Sequence, residues 1–211
     1  MHYPDFKQEK KLWKQGFDLV AGLDEVGRGP LAGPVVAAAF AVNQDAFSTL
    51  KKLKLQDSKK LSAKQREFFY EQLTTHPGAQ FSVGIVSENV IDSINILEAT
   101  KMAMQQALMG IKMPADFLLL DGNFPLNVKV SQHSIIKGDQ KVFSIAAASI
   151  IAKVTRDRIM QQMHTVYPQY GFDAHKGYGT RAHVANLKKY GATKIHRKSF
   201  WPVKKHVIDS I

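Results

Sequence analysis

Phe17-Asp18-Leu19-Val20-Ala21-Gly22-Leu23-Asp24-Glu25-Val26-Gly27-Arg28-Gly29-Pro30-Leu31-Ala32-Gly33-Pro34-Val35-Val36-Ala37-Ala38-Ala39-Phe40-Ala41-Val42 is the stretch on which the reading of this chain turns. It holds two apolar runs, Phe17 to Leu23 and Pro34 to Val42, parted by Gly27-Arg28-Gly29-Pro30 and Gly33-Pro34. Such runs, bounded by glycine and proline, predict two buried strands joined by a tight connection. Outward from them, Leu61 to Thr75 reads as a helix: Ser62 and Gln65 have capping-box spacing, and Phe69 and Leu73 lie one turn apart. Phe81 to Ser87 is a third β-rich run. A second helix is expected where Asn95 and Glu98 cap the start, Ile96, Ala99, Ala103 and Ala107 recur at helical spacing, and Gly110 ends it. Phe117 to Leu120 and Val128 to Ile136 read as strands. Ser144 to Met163 reads as a long helix whose first turns, Ile145 to Ser149, are small enough to press on a sheet. From about Tyr167 onward there is one short helical pattern, His183 to Tyr190. The order β-β-α-β-α-β-β-α predicts an α/β layered domain with a mixed sheet over residues 1–166, then a small basic C-terminal appendage over residues 167–211.

Asp and Glu number only 18 in 211 residues, so acids lodged at the ends of apolar runs stand out. Asp24-Glu25 closes the first run before a glycine-rich turn, and Asp121 closes Phe117-Leu118-Leu119-Leu120 before Gly122. Asp139 follows the Ser134 to Ile136 run and Gly138. Carboxylates delivered by three segments to one sheet edge would form a hard, oxygen-rich site suited to Mg2+ or Mn2+ rather than zinc or copper. Neighbours on a regular strand point to opposite faces, so Asp24 and Glu25 both contribute only if the strand ends there, as the following glycines permit. Taken singly, each acid fits a turn or a helix cap better than a ligand role. Gly27-Arg28-Gly29 fits a backbone turn that exposes amides to a ligand, and equally a plain turn between strands. Gly177-Tyr178-Gly179 is open in the same way, as a stacking platform or a packed corner.

The net charge of +11 favours a polyanionic partner, with simple solubility as the alternative. Its distribution favours nucleic acid: from Lys176 to the end there are nine Lys and Arg residues and one acid, Asp209, interleaved with Tyr178, Tyr190, Phe200 and Trp201. The chain has no cysteine, which excludes disulfides, a thiolate metal site and a thiol nucleophile. Met1 to Gln15 is polar and charged, unlike a signal peptide, and the longest apolar run, Val35 to Val42, is far short of the ~20 residues that span a bilayer. A soluble, cytoplasmic protein that does not bind membranes is therefore expected.

Gly22-Leu23-Asp24-Glu25-Val26-Gly27-Arg28-Gly29-Pro30-Leu31-Ala32-Gly33-Pro34-Val35-Val36-Ala37-Ala38-Ala39 resembles the signature of bacterial type 2 ribonucleases H. The similarity continues through Asp57-Ser58-Lys59-Lys60-Leu61-Ser62, Leu120-Asp121-Gly122-Asn123, Lys137-Gly138-Asp139 and Ile145 to Lys153 with Arg156-Asp157-Arg158. His175-Lys176-Gly177-Tyr178-Gly179-Thr180 and Arg197 to Val203 complete it, so the resemblance covers nearly the whole chain in order. Val26, where many relatives have alanine, is the one departure, and it leaves the chemistry untouched. The last residues show no sliding-clamp peptide.

The resemblance implies an RNase H-like fold: a mixed five-stranded sheet flanked by helices, with a small basic helical appendage. It implies that Asp24, Glu25, Asp121 and Asp139 are the catalytic metal ligands, and that the Gly27-Arg28-Gly29 backbone recognises the 2′-hydroxyl at the scissile position. Tyr178 would stack on the deoxyribose beside it. Two Mg2+ or Mn2+ ions, roughly 3.5–4 Å apart, would bracket the scissile phosphate, with no covalent enzyme intermediate. The implied substrates are RNA–DNA hybrids and ribonucleotide-containing duplex DNA, cut on the 5′ side of a ribonucleotide to leave 3′-hydroxyl and 5′-phosphate ends, and a monomer is expected. Asp157, which lies between Arg156 and Arg158 on the long helix, is expected in structural ion pairs, and Asp57 in the turn before the Ser62 helix. His133, His175, His183 and His196 share no tight ligand spacing, which argues against a zinc site. The rival readings are a DNA junction resolvase, which would cut all-DNA junctions, and a non-enzymatic nucleic-acid-binding protein, which would leave the clustered acids without a purpose.

Overall fold

The computed structural model describes residues 3–208, so Asp209 and the final residues lie outside it. The chain opens with helix α1 (Lys7–Lys14) and enters the sheet through strands β1 (Val20–Val26) and β2 (Val35–Val42). Helices α2 (Gln44–Leu50) and α3 (Ala63–Thr74) precede β3 (Ala79–Val86), and α4 (Glu88–Met109) precedes β4 (Phe117–Asp121) and β5 (Ser131–Ile135). The long helix α5 (Phe143–Val166) is followed by α6 (Phe172–His175), α7 (Arg181–Tyr190) and α8 (Val203–Ile208).

The five strands lie in the order β3-β2-β1-β4-β5. β1 and β2 are antiparallel, from Val20↔Val42 to Val26↔Val36, and β3 pairs antiparallel on the far side of β2. β4 runs parallel to β1, and β5 parallel to β4, so the sheet is mixed as the sequence predicts. All of β2 is buried, because the sheet is covered on both faces. Val36, Ala38, Phe40 and Val42 pack beneath α5, while Val35, Ala37, Ala39 and Ala41 pack beneath α4. The alanines let the helices come close. At Gly22 a Cβ would stand 2.2 Å from the Ser144 carbonyl carbon, so only glycine lets α5 lie on the centre of β1.

Two expectations are corrected, the end of the first strand and the link that follows it, and the Asn95 cap is borne out. The first strand does not end at Leu23: the ladder with β2 carries it to Val26, although its pairing with β4 stops at Leu23↔Leu120. α4 is two helices joined at a kink, where Asn95 has φ 69°: a first piece from Glu88, and a second that Asn95 caps as expected, its Oδ1 accepting the N–H groups of Leu97 and Glu98 at 2.9 and 3.2 Å. The link between β1 and β2 is not a tight turn but a loop over residues 27–34, tied to the C-terminal segment. The Ser62 and Gln65 capping box forms as predicted. Among the described residues no helix is long and apolar enough to cross a membrane.

Candidate active site

Parallel strands end together, and the segments that leave them gather at one edge of the sheet. Here the C-terminal ends of β1 and β4, with the turn after β5, border a cavity of about 580 Å³. Asp24 and Glu25 reach it from β1, Asp121 from the end of β4, and Asp139 from a 3-10 turn, Gly138–Gln140, just before α5. All four predicted acids are thus brought together, with Lys59, Arg66, Lys153, Ser149 and Tyr178 on the same walls. Asp24 and Glu25 leave β1 on opposite faces, and both border the cavity because β1 runs on to Val26 past the end of its pairing with β4.

Asp24, Asp121 and Glu25 are each held through a carboxylate oxygen. Asp24 Oδ1 accepts the N–H of Glu25 at 2.7 Å, and the Ser149 hydroxyl also bonds this carboxylate. Ser149 is fixed in turn by Ser58, 3.0 Å away. Asp121 Oδ1 accepts the N–H of Gly138 at 2.6 Å, which joins the β4 carboxylate to the turn that bears Asp139. Glu25 Oε1 lies 3.4 Å from Arg28 Nη1, while its buried Oε2 has no hydrogen-bond partner.

Burial pushes the Asp24 carboxyl well above the usual range, and the charges of Glu25, Asp121 and Asp139 push it further. Glu25 is raised by burial against the opposing pull of Arg28, and Asp139 by burial and the charges of Asp121 and Asp57. Lys59 shows the converse: burial works against its charge, yet Asp139, Asp24 and Asp57 raise it overall. Crowded carboxylates with an orphaned buried oxygen fit a cation, and donors that are all oxygen suit a hard divalent one. Among the described residues no three His, Asp or Glu side chains are drawn together as the ligands of an ion. The four carboxylates line the cavity instead of closing on one point.

The Gly27-Arg28-Gly29 loop lies beside this cavity. Gly27 has φ +93°, and a Cβ on Gly29 would meet the Tyr178 ring at 3.9 Å, so the two glycine-flanked motifs adjoin. Tyr178 is 41% exposed, with the Arg156 guanidinium 6.0 Å from its ring centroid. Two fully buried arginines, unforeseen in these roles, hold the loop. Arg197 donates to the carbonyls of Gly27, Arg28 and Gly33 at 2.5–3.0 Å. Arg156 donates to Pro34, Ala32 and Lys176 at 2.9–3.1 Å. Neither faces a carboxylate within ion-pair distance among the described residues, and burial lowers Arg156 to about 10 and Arg197 to about 9.

The two rival acids, Asp157 and Asp57, are found in an ion pair and in a turn. Asp157 pairs with Lys153 at 2.8 Å and Arg66 at 3.7 Å, not with its flanking arginines, because Arg156 points to backbone carbonyls and Arg158 to Glu67. Asp57 accepts the N–H of Lys59 at 3.0 Å in the expected turn. His175, His183 and His196, separate in sequence, come together behind Tyr178.

A family model described as Ribonuclease HII matches residues 21–203. Ribonuclease HII of Chlamydia trachomatis serovar D is 51% identical over 203 residues, covering 96% of this chain and 91% of that protein. The solved ribonuclease H2 from Pyrococcus horikoshii OT3 is similar with a TM-score of 0.74 at 26% identity, covering 90% of this chain and 98% of that one. Bst-RNase HIII in complex with Mn2+ shares the fold with a TM-score of 0.68 at 18% identity, covering 91% of this chain and 70% of that one.

Proposed function

The chain belongs to the ribonuclease HII family, and from that premise we propose that it is a metal-dependent endoribonuclease that hydrolyses the RNA strand of RNA–DNA hybrids and cuts 5′ of ribonucleotides embedded in duplex DNA. The observation that carries this reading is the gathering of Asp24, Glu25, Asp121 and Asp139 around one cavity with Tyr178. These acids would hold two Mg2+ or Mn2+ ions, in keeping with the Mn2+ held by the similarly folded Bst-RNase HIII. Bound there, such ions supply Lewis acidity at the scissile phosphate and lower the pKa of water. Hydrolysis leaves 3′-hydroxyl and 5′-phosphate ends.

The chain's own residues orient the substrate. The Gly27-Arg28-Gly29 backbone reads the 2′-hydroxyl, and Arg197, engaging the carbonyls of Gly27 and Arg28, holds that loop in shape before substrate arrives. Tyr178 stacks on the adjoining deoxyribose, and Lys59 keeps a cation beside the acids for the phosphate. Residues 167–211 form the basic substrate-binding appendage of a catalytic domain over residues 1–166, and the enzyme acts as a cytoplasmic monomer. The test is cleavage of three substrates with and without Mg2+ or Mn2+: a duplex with one ribonucleotide, an RNA–DNA hybrid and an all-DNA four-way junction. Metal-dependent cutting of the first two alone is expected. Cutting of the junction, or cleavage without metal, overturns the proposal.

A further inference from the structure

The ring of Tyr178 is exposed, so its position depends on its backbone, and that backbone is held by a chain of imidazoles. The Tyr178 N–H donates to the His175 carbonyl at 2.9 Å. Its carbonyl accepts from the Thr180 N–H at 2.8 Å and faces His183 Nδ1 at 2.9 Å. Thr180 is the N-cap of α7 and accepts the N–H of His183 through its hydroxyl, which puts His183 in the first turn of that helix, directly behind Tyr178. His183 Nε2 in turn faces His196 Nε2 at 3.1 Å, and both rings are buried among Tyr170 and Phe172.

The proton positions in this chain of rings are set at its ends. A backbone N–H can only donate, so His196 Nδ1, which accepts the N–H of Thr193 at 3.0 Å, carries no proton. A neutral His196 is therefore protonated at Nε2 and donates to His183 Nε2. That leaves His183 protonated at Nδ1, the atom that meets the Tyr178 carbonyl. His175, stacked on His183 with centroids 4.5 Å apart, is fixed independently: its Nδ1 accepts the Gly177 N–H at 3.2 Å, and its Nε2 donates to the Tyr170 carbonyl at 2.7 Å. Every ring nitrogen in the set has one role, and a second proton on either His183 or His196 would set two N–H groups against each other. Burial lowers both rings, His196 to about 3, so the neutral chain is the resting one.

We infer that His183, locked in its Nδ1–H tautomer by His196, is a positioning residue for Tyr178, setting where the ring presents itself to the sugar beside the scissile bond. This rests on the reading of Tyr178 as the stacking residue. The first test is the histidine tautomers of the wild-type protein by long-range 1H–15N correlation spectroscopy. Protonation of His183 at Nδ1 and of His196 and His175 at Nε2 is expected, and His183 protonated at Nε2 overturns the inference.

The second test uses a pair of substitutions of equal size. His183→Asn keeps a donor where Nδ1 stood, whereas His183→Leu has none. The readout is the ratio of cleavage at a single embedded ribonucleotide to cleavage within a long RNA tract. His183→Leu is expected to lower that ratio by about tenfold, the worth of one good hydrogen bond. His183→Asn is expected to restore most of it, and in a Tyr178→Ala background His183→Leu should lower it no further. Equal losses on both substrates, no rescue by asparagine, or a further fall in the Tyr178→Ala background each overturn the positioning role. An unchanged ratio in Tyr178→Ala overturns the reading of Tyr178 itself, whereas a changed ratio there with none in His183→Leu overturns the role of His183 alone. Should His183→Leu fail to fold, His196→Leu against His196→Gln repeats the comparison one link further back.

Discussion

Glu9 Oε1, on α1, accepts the backbone N–H of Ser144 at 2.8 Å, so a carboxylate from the first helix caps α5, which packs on the β1 strand that bears Asp24 and Glu25. Val142, the residue before that helix, provides no side-chain cap, and Glu9 is wholly buried. The helix N-terminus favours the charge, but burial wins and raises the Glu9 carboxyl to about 7. An acid with a raised pKa binds its proton more tightly folded than unfolded. Stability from this group is therefore full below about pH 4.5 and is lost as pH rises through about 7. Glu9→Gln keeps the acceptor and removes the titration. Urea unfolding should find the variant more stable than wild type above pH 7, by on the order of 3 kcal/mol, with the difference vanishing near pH 4.5. A difference independent of pH would rule this out.

Asp24→Asn and Asp121→Asn keep the acceptors that bond Glu25 N–H and Gly138 N–H while removing a charge from a crowded, buried set. Cleavage should fall by orders of magnitude, with thermal stability equal to wild type or higher in metal-free buffer. Mn2+ or Mg2+ should raise the wild-type melting temperature and raise that of Asp24→Asn much less. Near-normal cleavage by either variant under saturating metal would remove these residues from the site. Asp139→Asn should behave in the same way.

Arg197→Met should be costly where Arg158→Met is not. The first strands the carbonyls of Gly27, Arg28 and Gly33, at about 1–3 kcal/mol for each group left unsatisfied. The second removes an exposed pair with Glu67, worth about 0–1 kcal/mol, and a surface contact with the Tyr70 ring of about 0.5–1 kcal/mol. Chemical denaturation of the two variants side by side decides it, and equal losses would contradict the loop-holding role.

How much of this was legible in the sequence depends on what each residue answers to. β2 and α3 were readable because an unbroken apolar run and a capping box are local signals. α1 was not, since its inward positions are Leu12 and a glutamate, and a buried Glu9 gives no apolar period. The four acids were identifiable as a set from their places at segment ends and from the family signature. That Asp24 and Glu25 serve one cavity from inside a strand depends on where β4 stops pairing, which no local pattern encodes. Arg156 and Arg197 were unreadable in their roles because their partners are backbone carbonyls, which every residue possesses. The histidines converge through tertiary packing alone.

Charge neutralisation at Lys188, Lys189, Lys204 and Lys205, all exposed, should weaken duplex binding mainly by making log K less dependent on log salt, by up to ~0.9 for each phosphate no longer neutralised. Preference for ribonucleotide-containing over all-DNA duplexes should hardly change, because phosphate contacts carry no information about the sugar. An equally steep salt dependence in the quadruple variant would make this surface a bystander.

Tyr178→Phe should be mild, and Tyr178→Ala should reduce cleavage at a single ribonucleotide far more than within an RNA tract, where the neighbouring 2′-hydroxyl already spoils the stacking. A loss of roughly 1–3 kcal/mol is the scale of aromatic stacking on a base. Tyr178 is 41% exposed, and if its ring serves the substrate the melting temperature should move much less than single-ribonucleotide cleavage. Equal loss on both substrates with a lower melting temperature would reassign the ring to structure.

The ties of the Gly27–Pro34 loop have a consequence for how the protein is made. Leu31 N–H bonds the Gly177 carbonyl, Gly33 N–H bonds that of Ile195, and Arg197 takes the carbonyls of Gly27 and Arg28. A ribosome therefore releases the loop more than 140 residues before its partners exist. All five strands and α5 are complete by Val166 in the chain, whereas these partners of the loop, and some of those of Met160 and Arg156 on α5, come after it. Emergence from the ribosome thus puts the four acids outside long before the Gly27–Pro34 loop can take its final shape.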